Sequence, residues 1–174
     1  MKSAKSYLFL IVLIGLGLGC SDEDPQVIDQ VYTGNESSYP LESASEFAIT
    51  GAATFKERVD GGTDVSIVLN KTFDTGEFPV HLHFGDVATD KADIALLLSP
   101  IAGNSGTSKT TISTLSDESK ITFDDLKEFD GCLKIHLSAT GEGRDIVLAA
   151  GNIGKAFTTS ATNGRVGMGV CKSE

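Results

Sequence analysis

Tryptophan is missing from the 174 residues, and histidine and cysteine occur only three times each. Without Trp there is no broad platform on which to stack a sugar ring. That weighs against glycoside hydrolysis, even though acids cluster at Asp124, Asp125, Glu128 and Asp130 and again at Asp86, Asp90 and Asp93. Basic residues are also few, 14 against 24 acids, for a net charge of −10. A chain so poor in Lys and Arg lacks the patches that neutralise phosphates, so nucleic acid is excluded as a partner. Adhesion to anionic headgroups through charge is excluded on the same ground. No Ser-His-Asp order, no phosphate-cradling Gly-rich loop and no Gly-x-Ser-x-Gly is present. The stretch from Asp86 to Asp93 offers oxygen ligands for Ca²⁺, but it has neither the spacing nor the turn glycine of an EF-hand loop.

Long apolar runs are absent too, with one exception. Tyr7 to Leu18 is preceded by Lys2 and Lys5 and followed at once by Cys20 and the acidic string Ser21-Asp22-Glu23-Asp24-Pro25. This is the three-part layout of a secretory signal, and it is shorter than the roughly 20 residues a spanning helix needs. The junction resembles the lipobox of bacterial lipoproteins, although Gly17 stands where that family prefers Leu. The acidic string resembles the surface-export signal of lipoproteins from Bacteroidetes-type bacteria. The resemblance implies cleavage after residue 19 and fatty acyl chains such as palmitate on Cys20. It also implies anchorage in the outer membrane, facing outward, with the membrane as partner through that lipid. An ordinary signal peptide with an unrelated cysteine is the competing reading. Loss of residues 1–19 leaves 155 residues, and loss of the two leader lysines takes the charge from −10 to −12. Cys132 and Cys171 then remain, an even pair that outside the cytoplasm suggests one disulfide. In the chain-entropy account such a loop is worth about 4 kcal/mol. Two separate thiols are the alternative.

Residues 20–45 are rich in Ser, Glu, Asp and Gly and show little periodicity, so the expectation is a flexible tether. From Glu46 the pattern becomes short alternating runs. Phe47, Ile49, Gly51, Ala53 and Phe55 share one parity, as do Val65, Ile67 and Leu69, with the hairpin signal Asp60-Gly61-Gly62-Thr63 between them. Further strands are expected near 78–84, 92–98, 107–114, 132–138, 145–150 and 165–170. Phe123, Leu126 and Phe129, spaced by three, predict a short helix over 122–129 with Thr122 as N-cap. The fold class expected is all-β: a Greek-key barrel or sandwich of seven or eight antiparallel strands, occupying 46–174 as one domain.

In Val80-His81-Leu82-His83-Phe84 the apolar residues point one way and His81 and His83 the other. In Leu133-Lys134-Ile135-His136-Leu137, His136 again opposes the apolar parity. Two histidines at i and i+2 project in parallel about 6.5–7 Å apart. If the two strands are neighbours, the three rings converge outside the barrel wall. Imidazole suits copper and zinc, so His81, His83 and His136 are candidate metal ligands. The plainer reading is a solvated strand face, or histidines hydrogen-bonded to a loop acid such as Asp86 or Asp90.

The string Val80-His81-Leu82-His83-Phe84-Gly85-Asp86 resembles the H-x-H…G-D segment of the Cu,Zn superoxide dismutase barrel. Ile135-His136 followed by Gly151-Asn152-Ile153-Gly154 is similar to that family's last copper-ligand strand and closing G-x-I-G. Residues 46–155 as a whole resemble the CHRD domain, a related module of secreted proteins. Further points of likeness are Leu98-Ser99-Pro100 and the passage from Ile121-Thr122-Phe123 to Asp130-Gly131. The resemblance implies that His81, His83 and His136 match three of four copper ligands. It also shows what is missing. There is no fourth histidine and no His-rich loop for zinc. Val147 stands at the anion-guiding arginine's position, with Arg144 three residues earlier, and Ala150 replaces the bridging cysteine. Each departure falls on catalysis, so dismutase activity is disfavoured and no catalytic residue is assigned. The leading expectation is a non-catalytic, surface-anchored CHRD-type binding or structural module. Metal binding by the three histidines, copper or zinc, is the alternative.

Overall fold

Alternation along the strands closes on itself in the computed structural model, which describes residues 30–162 except 72, 74, 90 and 91. The leader, Cys20, Cys171 and the strand expected near 165–170 lie outside the described residues. Eight strands form a closed antiparallel barrel: β1 (Tyr32–Ser43), β2 (Gly51–Arg58), β3 (Thr63–Leu69), β4 (Glu77–Phe84), β5 (Ile94–Ala102), β6 (Thr107–Ile112), β7 (Asp130–His136) and β8 (Val147–Ile153). Their order around the barrel is β1-β2-β3-β6-β5-β4-β7-β8. The β3–β6 and β4–β7 neighbours are the crossovers of a Greek-key arrangement. β1 pairs with β8 through Glu42 opposite Ala150 and Ser43 opposite Ala149, so the sheet has no open edge. The all-β barrel expectation holds.

Inward-facing residues fill the interior. Phe55, Leu41, Ile67, Leu82, Ile101, Leu133, Ile135 and Leu148 are all essentially inaccessible. The β2–β3 turn is built as its sequence suggests. Gly61 takes a positive φ of 87°, and Asp60 Oδ1 accepts from the Gly62 N–H at 3.0 Å. The short helix α1 (Phe123–Lys127) opens on a capping box. Thr122 Oγ1 accepts from the Asp125 N–H at 3.2 Å, and the Asp125 carboxylate accepts from the Thr122 N–H at 2.9 Å. Lys127 donates to Asp124 at 3.0 Å. Asp124 and Asp125 thus serve the helix rather than a hydrolytic site.

Two sequence expectations are corrected. β1 lies inside the stretch assigned to a tether, so the barrel starts at Tyr32 rather than Glu46. Only Tyr39 and Leu41 of β1 are buried, and its first half is almost wholly exposed, which is why composition disguises it. The strand is held by its ladder to β2 and by one buried acid. Asp64 of β3 accepts from Tyr32 Oη at 2.7 Å, from Thr111 Oγ1 at 2.5 Å and from Lys109 Nζ at 2.8 Å. The second correction is α2 (Gly154–Thr162), which periodicity did not announce. It lays Phe157 edge-on against Tyr39 at 5.4 Å, packed against the core.

Candidate metal centre

β4 and β7 are neighbours, in the register Val80 opposite Ile135, His81 opposite Lys134 and His83 opposite Cys132. Val80, Leu82, Leu133 and Ile135 point into the barrel. The alternate side chains, His81, His83, Lys134 and His136, share the outer face. The three imidazoles meet there. Ring centroids of His81 lie 4.7 Å from His136 and 5.7 Å from His83, and one candidate ligand nitrogen from each histidine lies within 4.8 Å of the other two. Gly131 permits the close approach of the two strands, since a Cβ there would strike the His83 carbonyl oxygen and the Phe129 ring.

The outer face is not a solvated one. His83 and His136 are buried, at 7% and 6% exposure, and His81 is half-buried. Two loops cover them. Residues 85–89 fold back over β7 and β8 and place Val87 in a small outer apolar cluster with Cys132, Val147 and Ala150. Residues 137–146, which contain the 3-10 turn Glu142–Asp145, fold back over His136. Each loop returns a backbone oxygen to the histidine that precedes it. His83 Nδ1 donates to the Ala92 carbonyl at 2.9 Å, and His136 Nδ1 donates to the Arg144 carbonyl at 2.8 Å. A carbonyl can only accept, so both protons sit on Nδ1 and both lone pairs on Nε2. Those two Nε2 atoms are buried and have no hydrogen-bond partner. An unsatisfied buried acceptor is unfavourable, and two of them in one cluster, with a third imidazole beside them, are what a metal ion would satisfy. Backbone carbonyls that fix the tautomer and orientation of ligating imidazoles are the usual support of such centres.

Electrostatics keep the rings neutral, the form that binds metal. Burial first, and then the neighbouring His136 and His83, lower the pKa of His81 to about 4. Burial likewise lowers His83, opposed by the Ala92 carbonyl and aided by the charge of Lys134. At His136 burial again leads, with the Arg144 carbonyl and Asp145 pulling upward and Lys134 downward.

The three predicted ligands are therefore brought together, on the wall and parity expected. The idea of a solvated face does not hold, because the loops cover it. Nor does His83 bond Asp86. That carboxylate caps its own turn, accepting from Ala88 N–H and Thr89 Oγ1, both at 3.1 Å. Asp90 lies outside the described residues. Cys132 is fully buried in β7, while its expected disulfide partner, Cys171, is outside the described residues. Arg144 contributes its backbone oxygen, and its guanidinium turns to Asp145 at 3.4 Å. Sequence reasoning missed three participants: the carbonyls of Ala92 and Arg144, and Lys134. The carbonyls leave no trace in residue identity. Lys134 did leave one, since it shares the parity of His136 in a strand otherwise apolar. No protein-family model, no curated protein and no solved structure matches the chain.

Proposed function

We propose that this protein is a non-catalytic metal-binding module that holds one copper or zinc ion through His81, His83 and His136. The observation that carries the reading is the pair of buried, unpartnered Nε2 atoms on His83 and His136, each with its Nδ1 proton tied to a backbone carbonyl. The donor set fits these ions chemically, because neutral imidazole suits both. Copper or zinc would supply a Lewis-acid centre there, and the chain's residues would bind and orient it. No carboxylate joins the three histidines among the described residues, so hard oxygen-seeking cations such as Ca²⁺ and Mg²⁺ are poorly matched.

The likeness of the histidine strands to the CHRD and dismutase barrels supports the same reading, as does the closed Greek-key strand order. We further read the chain as a lipoprotein carried on Cys20 at the outer surface of the cell envelope, with the barrel starting close behind the anchor. Labelled palmitate incorporated by the native chain and lost in Cys20→Ser tests the anchor separately.

Titration of the purified full chain with zinc(II), and with copper(I) under anaerobic conditions, tests the metal site. One equivalent is expected to bind saturably. His83→Ala and His136→Ala should each weaken binding by more than the roughly 10–100-fold typical of losing a supporting residue. Absence of saturable binding, or binding unchanged in both variants, removes the proposal.

A further inference from the structure

We infer that His81 is the exchangeable ligand of this site, and that the ion passes in and out between His81 and Leu97. The inference rests on the metal-binding reading above. The three histidines are not equivalent. His83 and His136 are buried, and each is fixed by a carbonyl from its own covering loop. His81 is half-buried, and among the described residues no hydrogen bond holds either of its ring nitrogens. Its ring contacts are the other two imidazoles.

The surroundings differ in the same sense. On the β7 side the site is closed by Lys134 and by the two loops. On the β5 side the residue directly opposite His81 is Leu97, and the one opposite His83 is Ile94. These two are 62% and 44% exposed, so among the described residues no segment covers them. A ring with no hydrogen bond, beside exposed residues of β5, gives up only its bond to the ion and its contacts with the other two imidazoles when it swings away, and it recovers rotamer freedom. The other two rings cannot move without breaking a buried hydrogen bond.

The chemistry is a simple substitution. A donor atom of an incoming ligand binds the ion as the His81 nitrogen leaves it. One bond forms, one breaks, and the oxidation state does not change. His83 and His136 hold the ion throughout the first step. The site is then one that receives and passes on its cargo rather than locking it away.

The test is transfer from the loaded full chain to a coloured chelator in a stopped-flow instrument: zinc(II) to pyridylazoresorcinol, or copper(I) to bathocuproine disulfonate. The expected rate rises in proportion to chelator concentration. Leu97→Trp, which crowds the entrance and removes no ligand, should slow transfer several-fold, by more than any accompanying change in equilibrium affinity. Val68→Trp, on β3 and away from the site, should leave the rate alone. His81→Ala should still bind through two ligands, more weakly but measurably, whereas His83→Ala and His136→Ala should not. A chelator-independent rate, or a Leu97→Trp rate equal to the native one, overturns this inference and leaves metal binding intact. A chain that retains neither ion overturns both.

Discussion

The Asn152 side-chain oxygen accepts a hydrogen bond from the Val87 backbone N–H at 2.8 Å, and so β8 holds down the loop whose carbonyl orients His83. The same amide donates to Ser160 Oγ of α2, also at 2.8 Å. One side chain on the outer wall therefore links α2 at Ser160 with Val87 of the loop that follows β4.

Replacing Asn152 by Ala is expected to remove this tie on the loop. The stability loss should be about 1–3 kcal/mol. Metal affinity should fall as well, because His83 loses its fixed partner. Ser160→Ala removes only the second bond and should leave affinity close to native. Urea denaturation of the metal-free chain, together with titration of both variants, checks this pair.

Protonation gives a second expectation. The three imidazoles are held below their ordinary pKa in the fold, while in the unfolded chain they titrate near 6.5. Above that value both states are neutral, and the rings contribute nothing to the pH dependence. As pH falls from about 6.5 toward about 4, the unfolded chain takes up protons that the folded chain refuses, so the metal-free fold loses stability over that window. Denaturation midpoints measured across it should decline less steeply in His81→Gln. An equal decline would show that other groups govern the window.

The Asp64 carboxylate works in the opposite direction and at lower pH. Burial pushes its pKa up, but hydrogen bonds from Lys109, Thr111 and Tyr32 outweigh that and hold it well below the usual carboxylate range. Its stabilisation is complete above its unfolded pKa and is lost only in stronger acid. Asp64→Ala should destabilise by about 2–4 kcal/mol, since a buried network loses its centre, and should release the start of β1. The exposed Lys56–Glu36 pair at 3.3 Å is the comparison. Glu36→Ala should change stability by less than about 1 kcal/mol. Hydrogen exchange along β1 distinguishes the two variants.

Lys134 supplies a fourth expectation. It is buried beside the three rings, and its charge acts on His83 and His136. A cation there opposes a doubly charged ion about twice as strongly as a singly charged one. Lys134→Met should therefore tighten zinc(II) by up to about tenfold and copper(I) by less. Equal gains for both ions would assign the effect to packing instead of charge.

Much of this architecture is written in side-chain alternation. The parity of Val80, Leu82, Leu133 and Ile135 places those residues inside and the histidines outside, and the register of β4 with β7 needs only adjacency to bring the rings together. The Thr122–Asp125 box and the Asp60-Gly61-Gly62 turn are equally plain, because local hydrogen bonds dictate them. β1 was not legible, since ladder bonds to β2 and the tie from Tyr32 to Asp64 hold it while its own side chains face water. The burial of His83 and His136 was hidden for a related reason. It is made by loops whose course depends on tertiary contacts such as Val87 with Asn152, and no periodicity in residues 85–93 or 137–146 reports those.

The oxygens that set His83 and His136 belong to the backbone at Ala92 and Arg144. A change of side chain at either position leaves its oxygen in place. Adding or removing one residue in either loop does not, because it shifts a different carbonyl, at a different angle, under the ring. The centre is thus tolerant of drift in the identity of its covering loops and intolerant of drift in their length. Ala92 lies nine positions after His83 and Arg144 eight positions after His136, and these two intervals are as much a part of the site as the histidines.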